Sequence, residues 1–72
     1  MNDEKKLHEQ ILLLSFEKQV KIHIVLKDGT WRNGFVKGIR ADFFLFEDKE
    51  NGVEPIFFLE LKKIDPYYGE GK

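Results

Sequence analysis

The sequence of 72 residues contains no cysteine and only two histidines. The absence of cysteine excludes disulfide bonds and thiolate metal sites, which stabilise many small domains. His8 and His23 are too few and too far apart to indicate a zinc site. A single domain of this length buries only about 60% of its unfolded surface. Association with further copies is therefore the predicted source of additional stability.

The chain also lacks an excess of either charge and has no long apolar run. The chain has 12 basic and 13 acidic residues, giving a formal net charge of −1. This balance differs from the strongly basic composition of a dedicated nucleic-acid binder, although it allows a local basic patch. Apolar runs such as residues 11–14 are too short to span a membrane, and the charged N-terminus lacks the apolar segment of a secretion signal. We therefore expect a soluble, cytoplasmic protein without a membrane partner.

Patterns typical of catalytic sites are lacking as well. Ser15 lies in a predicted helix with no histidine and carboxylate placed to activate it. The acidic group Glu47, Asp48 and Glu50 surrounds a turn and is interrupted by Lys49, which indicates solvated charge rather than a divalent ion site. We expect no enzymatic activity, no metal and no cofactor.

The most informative stretch begins with a strand at residues 20–27. Apolar residues alternate with polar ones there, at Val20, Ile22, Ile24 and Leu26. This period of two predicts a strand with one buried face. Asp28-Gly29 follows, and Asp-Gly between two such runs is a strong hairpin signal because glycine adopts positive φ at little cost.

A bent second strand is predicted at residues 30–39. Gly34 and Gly38 lie within it, and glycine inside a strand indicates sharp bending or close approach of another backbone. Strong bending of this kind allows a small barrel to close. The remaining predicted strands are 42–48, 55–60 and 61–64, with a turn at 49–54 and a stop at Asp65-Pro66.

A helix is predicted at residues 3–16, capped by Asn2 or Asp3. Its apolar face is predicted to consist of Leu7, Ile11 and Leu14, widened by Leu12, Leu13 and Phe16. Such a helix would lie across the mouth or face of a sheet. The predicted fold is thus mostly β, a single domain over residues 1–72, with an N-terminal helix and a strongly bent five-stranded antiparallel barrel. Residues 67–72 are predicted to be a frayed tail.

Two of the predicted strands, 42–48 and 55–60, are apolar on both faces. One face of each would fill the barrel, and the other needs a cover from the helix or from another subunit. Pairing of strand edges between protomers would close both edges of the sheet and form a ring. A homo-oligomer is therefore expected.

This order of elements resembles the Sm-like barrel. Residues 26–38, LKDGTWRNGFVKG, are similar to the first Sm motif, in which a polar-Gly turn precedes a mid-strand glycine and an apolar residue. The matching positions here are Gly29, Gly34 and Val36. The passage from residues 11–13 to 20–22 resembles the helix-to-strand transition of the bacterial host-factor branch. The resemblance implies an SH3-like (Sm-like) barrel, a ring, and single-stranded RNA bound at the central pore.

The resemblance does not extend to the residues that hold uridine in the family. Asp and Asn follow the second strand there, whereas this chain has Arg40 and Phe44 at those places, and Asp42 at a different register. The Arg-Gly of the second motif and the Tyr-Lys-His of the host-factor branch are both replaced by residues 59–63, LELKK. The implied function is RNA binding with an altered base preference.

The candidate RNA-binding residues lie in the two turns that line the pore of an Sm-like ring. They are Arg40, Lys62 and Lys63 as phosphate contacts, Phe43 or Phe44 as a stacking partner for a base, and Asp42. Alternatively, the phenylalanines belong to the core, which we favour for them, and the lysines are solvated surface groups. In that case the barrel is a protein-interaction or structural module that has lost the uridine pocket.

A second candidate surface is predicted beside the Asp-Gly turn. An exposed Trp31 next to Lys27 and Arg32 could stack on a purine. The alternative, which we favour, is that Trp31 covers the end of the barrel or the helix.

Overall fold

The computed structural model describes residues 3–67, with side chains from Leu7 onward. Their elements are α1 (Asp3–Lys18), β1 (Ile22–Leu26), β2 (Trp31–Ile39), β3 (Phe43–Asp48), β4 (Gly52–Phe57), a 3₁₀ turn (Phe58–Glu60) and β5 (Leu61–Pro66). The strands form one open sheet in the order β4-β3-β2-β1-β5, and each neighbouring pair is antiparallel. The predicted mostly β chain, with a helix before five antiparallel strands, is confirmed.

Strand β2 belongs to both halves of the sheet. Residues 31–34 pair with β1, and residues 35–39 pair with β3. Gly34 lies where the partner changes, and a Cβ atom there would clash with the backbone carbonyl of Glu47. The absence of a side chain therefore permits the close approach that the sequence predicted at this glycine.

The core lies between one face of the sheet and α1. Its ten buried apolar residues are Ile11, Leu12, Ile22, Ile24, Val36, Phe44, Phe46, Ile56, Leu61 and Ile64. β1 and β3 contribute alternate residues, because successive side chains of a strand point to opposite faces. In β5 the two core residues, Leu61 and Ile64, are three positions apart, since the register with β1 is irregular between them. The predicted alternation in β1 is confirmed for Ile22 and Ile24, which are fully buried.

The other face of β3 and β4 is also apolar. In the register of these strands, Phe43 lies opposite Phe57 and Leu45 lies opposite Pro55. Val53 and Phe57 are 52% and 44% exposed. We call these five residues the outer apolar face. They are the second apolar surface that the sequence predicted for these strands.

The buried face of α1 shares only Ile11 and Leu12 with the predicted one. Ile11, Leu12 and Ser15 are buried, whereas Leu7 and Leu14 are 53% and 41% exposed. Ser15 accounts for this rotation, since its hydroxyl Oγ accepts a hydrogen bond from the backbone N–H of Val36 at 3.0 Å. Apolar residues surround α1, so periodicity alone does not select the side that faces the sheet. The polar contact of Ser15 with β2 selects it.

The helix also ends two residues later than predicted, at Lys18. Gln19 follows with a positive φ of 56°, which stops the helical conformation. Its side-chain amide donates to the carbonyl of Phe16 at 3.1 Å, so a carbonyl of the last turn gains a partner.

The predicted bounds of the last two strands were wrong. β4 begins at Gly52 instead of residue 55, because Asp48 Oδ1 accepts the N–H of Asn51 at 2.7 Å and closes a tighter turn. The chain then leaves β4 at residue 58, within the range predicted as strand. β5 continues through Pro66 instead of stopping at residue 64, since a proline is tolerated at the rim of a sheet.

Part of the predicted tail is ordered. The N–H of Tyr67 donates to the carbonyl of Lys21 at 3.1 Å, and the Lys21 ammonium lies 4.9 Å from the centre of the Tyr67 ring. Tyr67 therefore continues the pairing of β5 with the residue before β1. Residues 68–72 lie outside the described range. Within residues 3–67, no helix has the length and apolar character needed to cross a membrane.

Candidate nucleic-acid interface

A cavity of about 490 Å³ opens between α1 and one end of the sheet. Its apolar wall includes Leu12, Leu13, Ile39, Phe58 and Leu61, and its polar side chains are His8, Glu9 and Arg40. Apolar walls with a few convergent polar groups are typical of ligand sites, and the volume lies within their usual range of roughly 300–1,000 Å³.

Backbone hydrogen bonds around the β2–β3 turn position Arg40. Its N–H donates to the carbonyl of Phe43 at 2.8 Å, which closes the turn, and its Nη1 donates to the carbonyl of Ile39 at 3.2 Å. The neighbouring Asp42 carbonyl accepts the N–H of Phe58 at 3.0 Å. This bond joins the turn after β2 to the 3₁₀ turn before β5, although Asp42 itself does not line the cavity.

The two candidate stacking residues have different environments. Phe44 is fully buried, with its ring centre 6.1 Å from Phe46 and 5.6 Å from Phe58. It has no free ring face, and a stacking role for it in this fold is wrong because its position in β3 points into the core. Phe43 points to the outer apolar face, where its ring centre lies 5.3 Å from that of Phe57.

Lys62 and Lys63 do not line the cavity, although both are exposed. Lys63 lies 3.6 Å from the carboxylate of Asp65 in an ion pair on β5. Lys62 lies at the irregularity in the β1–β5 register, where β5 has an extra residue opposite Val25 and Leu26. Of the three basic candidates, the structure thus brings only Arg40 to the cavity.

His8 and Glu9 are polar residues of the cavity that the sequence interpretation missed. His8 stands four residues before Leu12, so it lies on the same face of α1 as that buried residue. The spacing of four residues between His8 and Leu12 could have indicated this position. It does so only when Leu12 is known to lie on the buried face of α1. Glu9 lies beside it on the exposed side.

The second candidate surface is divided between two faces of the sheet. Trp31 is 61% exposed, so the favoured alternative that it covers the barrel end or the helix is wrong. Its ring centre lies 5.7 Å from that of His23, whose Nδ1 is 2.6 Å from Asn33 Oδ1. Arg32 lies on the opposite face, with Nη1 2.7 Å from a carboxylate oxygen of Glu54.

Lys27 is exposed at the Asp-Gly turn. Its N–H donates to the carbonyl of Glu60 at 2.9 Å, which joins this turn to the 3₁₀ turn. The side chains of Trp31, Lys27 and Arg32 therefore do not form one basic aromatic patch.

Two carboxylates stabilise turns. Hydrogen bonds from the Thr30 hydroxyl and N–H lower the pKa of Asp28 below its ordinary value. Burial raises the pKa of Asp48, but hydrogen bonds from Asn51 and the charge of Arg32 lower it more, so that the net shift is downward. Among the described residues, no three His, Asp or Glu side chains are grouped as metal ligands would be.

No family model matches this chain, and no curated protein resembles it at a significant level. Function therefore has to be inferred from the fold and from the cavity.

Proposed function

We propose that this chain is an Sm-like, ring-forming protein that binds single-stranded RNA at the cavity beside α1. The observation that carries the proposal is the exposed Arg40 guanidinium at an apolar cavity of about 490 Å³. A base can lie against the wall formed by residues such as Leu12 and Phe58, while Arg40 contacts a phosphate. RNA-binding proteins commonly combine these two kinds of contact.

The polar groups of the cavity suggest which bases it prefers. Glu9 presents a carboxylate, which accepts hydrogen bonds from exocyclic amino groups such as N4 of cytosine. Uracil has carbonyl oxygens in place of that amino group, so its N3–H is the one donor on its pairing edge that it offers to the carboxylate. We therefore expect adenine or cytosine to bind better than uracil, in keeping with the missing uridine residues.

Self-association is supported by the sheet edges and by the outer apolar face. Within residues 3–67, β4 and β5 are the outermost strands, and their outward backbone groups are available for pairing. Pairing β4 of one copy with β5 of the next uses two different surfaces, so repetition of the contact can close a ring. A ring presents Arg40 once in each copy, and several weak phosphate contacts then act together.

The proposal is tested by fluorescence anisotropy with oligo(A), oligo(C), oligo(U) and matched DNA at low and moderate salt. The mass of the protein is measured in parallel by light scattering. Arg40→Glu should weaken binding and reduce the salt slope by about one unit for each phosphate that the arginine no longer neutralises. Lys49→Glu is the matched control, since it makes the same charge change at the exposed turn before β4.

Two results would contradict RNA binding at this cavity. One is the absence of binding by the wild-type multimer at low salt. The other is an equal decrease of affinity in Arg40→Glu and Lys49→Glu, which would indicate only a general charge effect.

A second candidate function is a protein-interaction or structural module on the same barrel. The outer apolar face and the near-neutral charge favour it. RNA binding is then absent or insensitive to Arg40→Glu, while the multimer persists.

A further inference from the structure

Three aromatic side chains lie in a diagonal row on the outer face of β2, β1 and β5. Trp31 of β2 lies opposite Val25 of β1, and His23 lies two residues away on the same face of β1. Tyr67 continues β5 opposite Lys21, which is two residues beyond His23. We call Trp31, His23 and Tyr67 the aromatic row.

The rings of the aromatic row are accessible from one side of the sheet. Trp31 is 61% exposed, and its ring centre lies 5.7 Å from that of His23, with the ring planes inclined by 37°. His23 and Tyr67 are partly buried. Diagonal neighbours on paired strands have Cα atoms about 7–8 Å apart, so the row extends over about 14–16 Å. It is therefore a shallow aromatic surface that crosses three strands.

The length and the repeat of this surface match a polyproline II helix. That helix rises about 3.1 Å per residue with three residues per turn, so one turn spans about 9 Å and five residues span about 16 Å. Every third side chain faces the same side, and proline-rich segments of this conformation dock on surfaces lined by aromatic rings. About five residues of such a segment therefore cover the whole aromatic row.

The polar groups beside the aromatic row are hydrogen-bond donors. His23 Nδ1 lies 2.6 Å from Asn33 Oδ1, and because a carbonyl oxygen only accepts, Nδ1 carries the proton. The amide nitrogen of Asn33 and the indole nitrogen of Trp31 are further donors of this face. A polyproline II segment makes no internal hydrogen bonds, and proline offers a carbonyl acceptor without an N–H. The donors of the face and the acceptors of such a segment are therefore complementary.

The charges of this face favour a neutral ligand. Lys63 and Asp65 form an ion pair at 3.6 Å, and the Lys21 ammonium lies 4.9 Å from the centre of the Tyr67 ring. The two lysines and the aspartate together carry a net charge of +1. Binding of nucleic acid depends on several phosphate contacts from basic residues, which this face does not supply.

We propose that the aromatic row binds a proline-rich segment of a partner protein in the polyproline II conformation. Such a segment is extended before it binds, so it loses little conformational entropy on docking. Trp31 begins β2, whereas Ile39 ends it beside Arg40 at the cavity. The aromatic row is thus separate from the proposed RNA site, and failure of either proposal leaves the other intact.

The single tryptophan of the chain provides a local probe, because the emission of Trp31 reports on the aromatic row. The ligand used is an end-blocked decaproline peptide, and a glycine-serine peptide of equal length is the peptide control. Titration of the wild-type protein should change the emission in a saturable way with decaproline only. Anisotropy of a fluorescein-labelled decaproline gives the affinity of variants that lack the tryptophan.

Two variants test the ends of the row. Trp31→Ala and Tyr67→Ala should each weaken binding about tenfold, since tryptophan and tyrosine contribute strongly to interface energies. Leu59→Ala is the matched control, because Leu59 is 82% exposed in the 3₁₀ turn and lies off the row. Circular dichroism verifies that all three variants are folded. The affinity of the wild type should change little between low and moderate salt, since the ligand is uncharged.

Several results would overturn the proposal. The wild type does not bind decaproline at millimolar concentration, or it binds the glycine-serine peptide equally well. Trp31→Ala or Tyr67→Ala binds decaproline as tightly as Leu59→Ala, which would show that the row is not the binding surface. Oligo(A) changes the emission of Trp31 while decaproline does not, which would assign this face to nucleic acid instead.

Discussion

The hydrogen bond between Ser15 and β2 should account for a measurable part of the stability of the domain. Ser15 is fully buried, and its Oγ accepts the N–H of Val36 at 3.0 Å. Pairing of β2 with β1 ends at Gly34, so no strand supplies an acceptor to Val36 on that side. Replacement of Ser15 by alanine leaves this buried N–H without a partner.

The expected magnitude follows from two opposing effects. A buried donor left unsatisfied costs about 1–3 kcal/mol. Alanine has the higher helix propensity, which offsets a few tenths of a kcal/mol, so roughly 0.5–2.5 kcal/mol of destabilisation remains. For a domain of this size about 1 kcal/mol shifts the midpoint of thermal unfolding by roughly 4–8 °C, and the midpoint should therefore fall by roughly 2–20 °C.

Circular dichroism melts at one protein concentration measure this change, because association makes the midpoint concentration-dependent. Glu17→Ala is the matched control at an exposed position of the same helix, and it should stay within about 0.5 kcal/mol of the wild type. Amide hydrogen exchange of Val36 gives a local readout. If Ser15→Ala is as stable as the control and the Val36 amide remains protected, the reasoning is refuted.

Two further predictions concern packing and pH. Gly34→Ala should destabilise by about 1–3 kcal/mol, because the new Cβ would clash with the backbone carbonyl of Glu47. Gly38→Ala meets only the ends of side chains, Leu45 at 3.3 Å and Arg40 at 3.5 Å, and should cost less. Equal urea midpoints for the two variants would contradict this expectation. The pKa of Asp48 is lower in the folded state than its unfolded value of 3.8. The ionised carboxylate therefore stabilises the fold at pH values above 3.8, and this stabilisation is lost as the pH falls through the folded-state pKa. The stability deficit of Asp48→Asn should therefore shrink as the pH falls from about 5 to about 2, and a constant deficit would count against the assigned shift.

Local signals were sufficient for the strands that begin the sheet. The alternation in β1 specifies its buried face, and the Asp28-Gly29 turn follows from residues that are neighbours in sequence. Gly29 has a φ of 95°, and the N–H of Thr30 donates to Asp28 Oδ1 at 2.9 Å. Such turns depend on little beyond their own side chains, which is why the sequence predicts them well.

The helix face could not be predicted in the same way. Leu7, Leu13, Leu14 and Phe16 surround α1 with apolar side chains, so periodicity alone does not select one side. The contact that selects it joins Ser15 to a strand 21 positions away. Because His8 and Glu9 reach the cavity only in that rotation, the cavity was missed together with the face.

Pro66 misled the prediction of the last strand. It was interpreted as the end of β5, since proline interrupts a ladder. At the rim of a sheet the missing N–H faces outward, and the strand continues through the residue. The position of a strand in the sheet, central or outermost, depends on all the strands. It cannot be predicted from the sequence of that strand alone.

The strand order has a consequence for the time course of folding. β1 to β4 are joined by short turns, so each of their pairings connects neighbours in sequence and can form by local zipping. β5 returns to β1, where Leu26 meets Leu61 and Ile22 meets Pro66, and this closure carries the largest loop entropy in the sheet. We therefore expect the meander to form first and the C-terminal strand to dock last. During synthesis, the sheet of this domain is therefore completed only after β5 has left the ribosome.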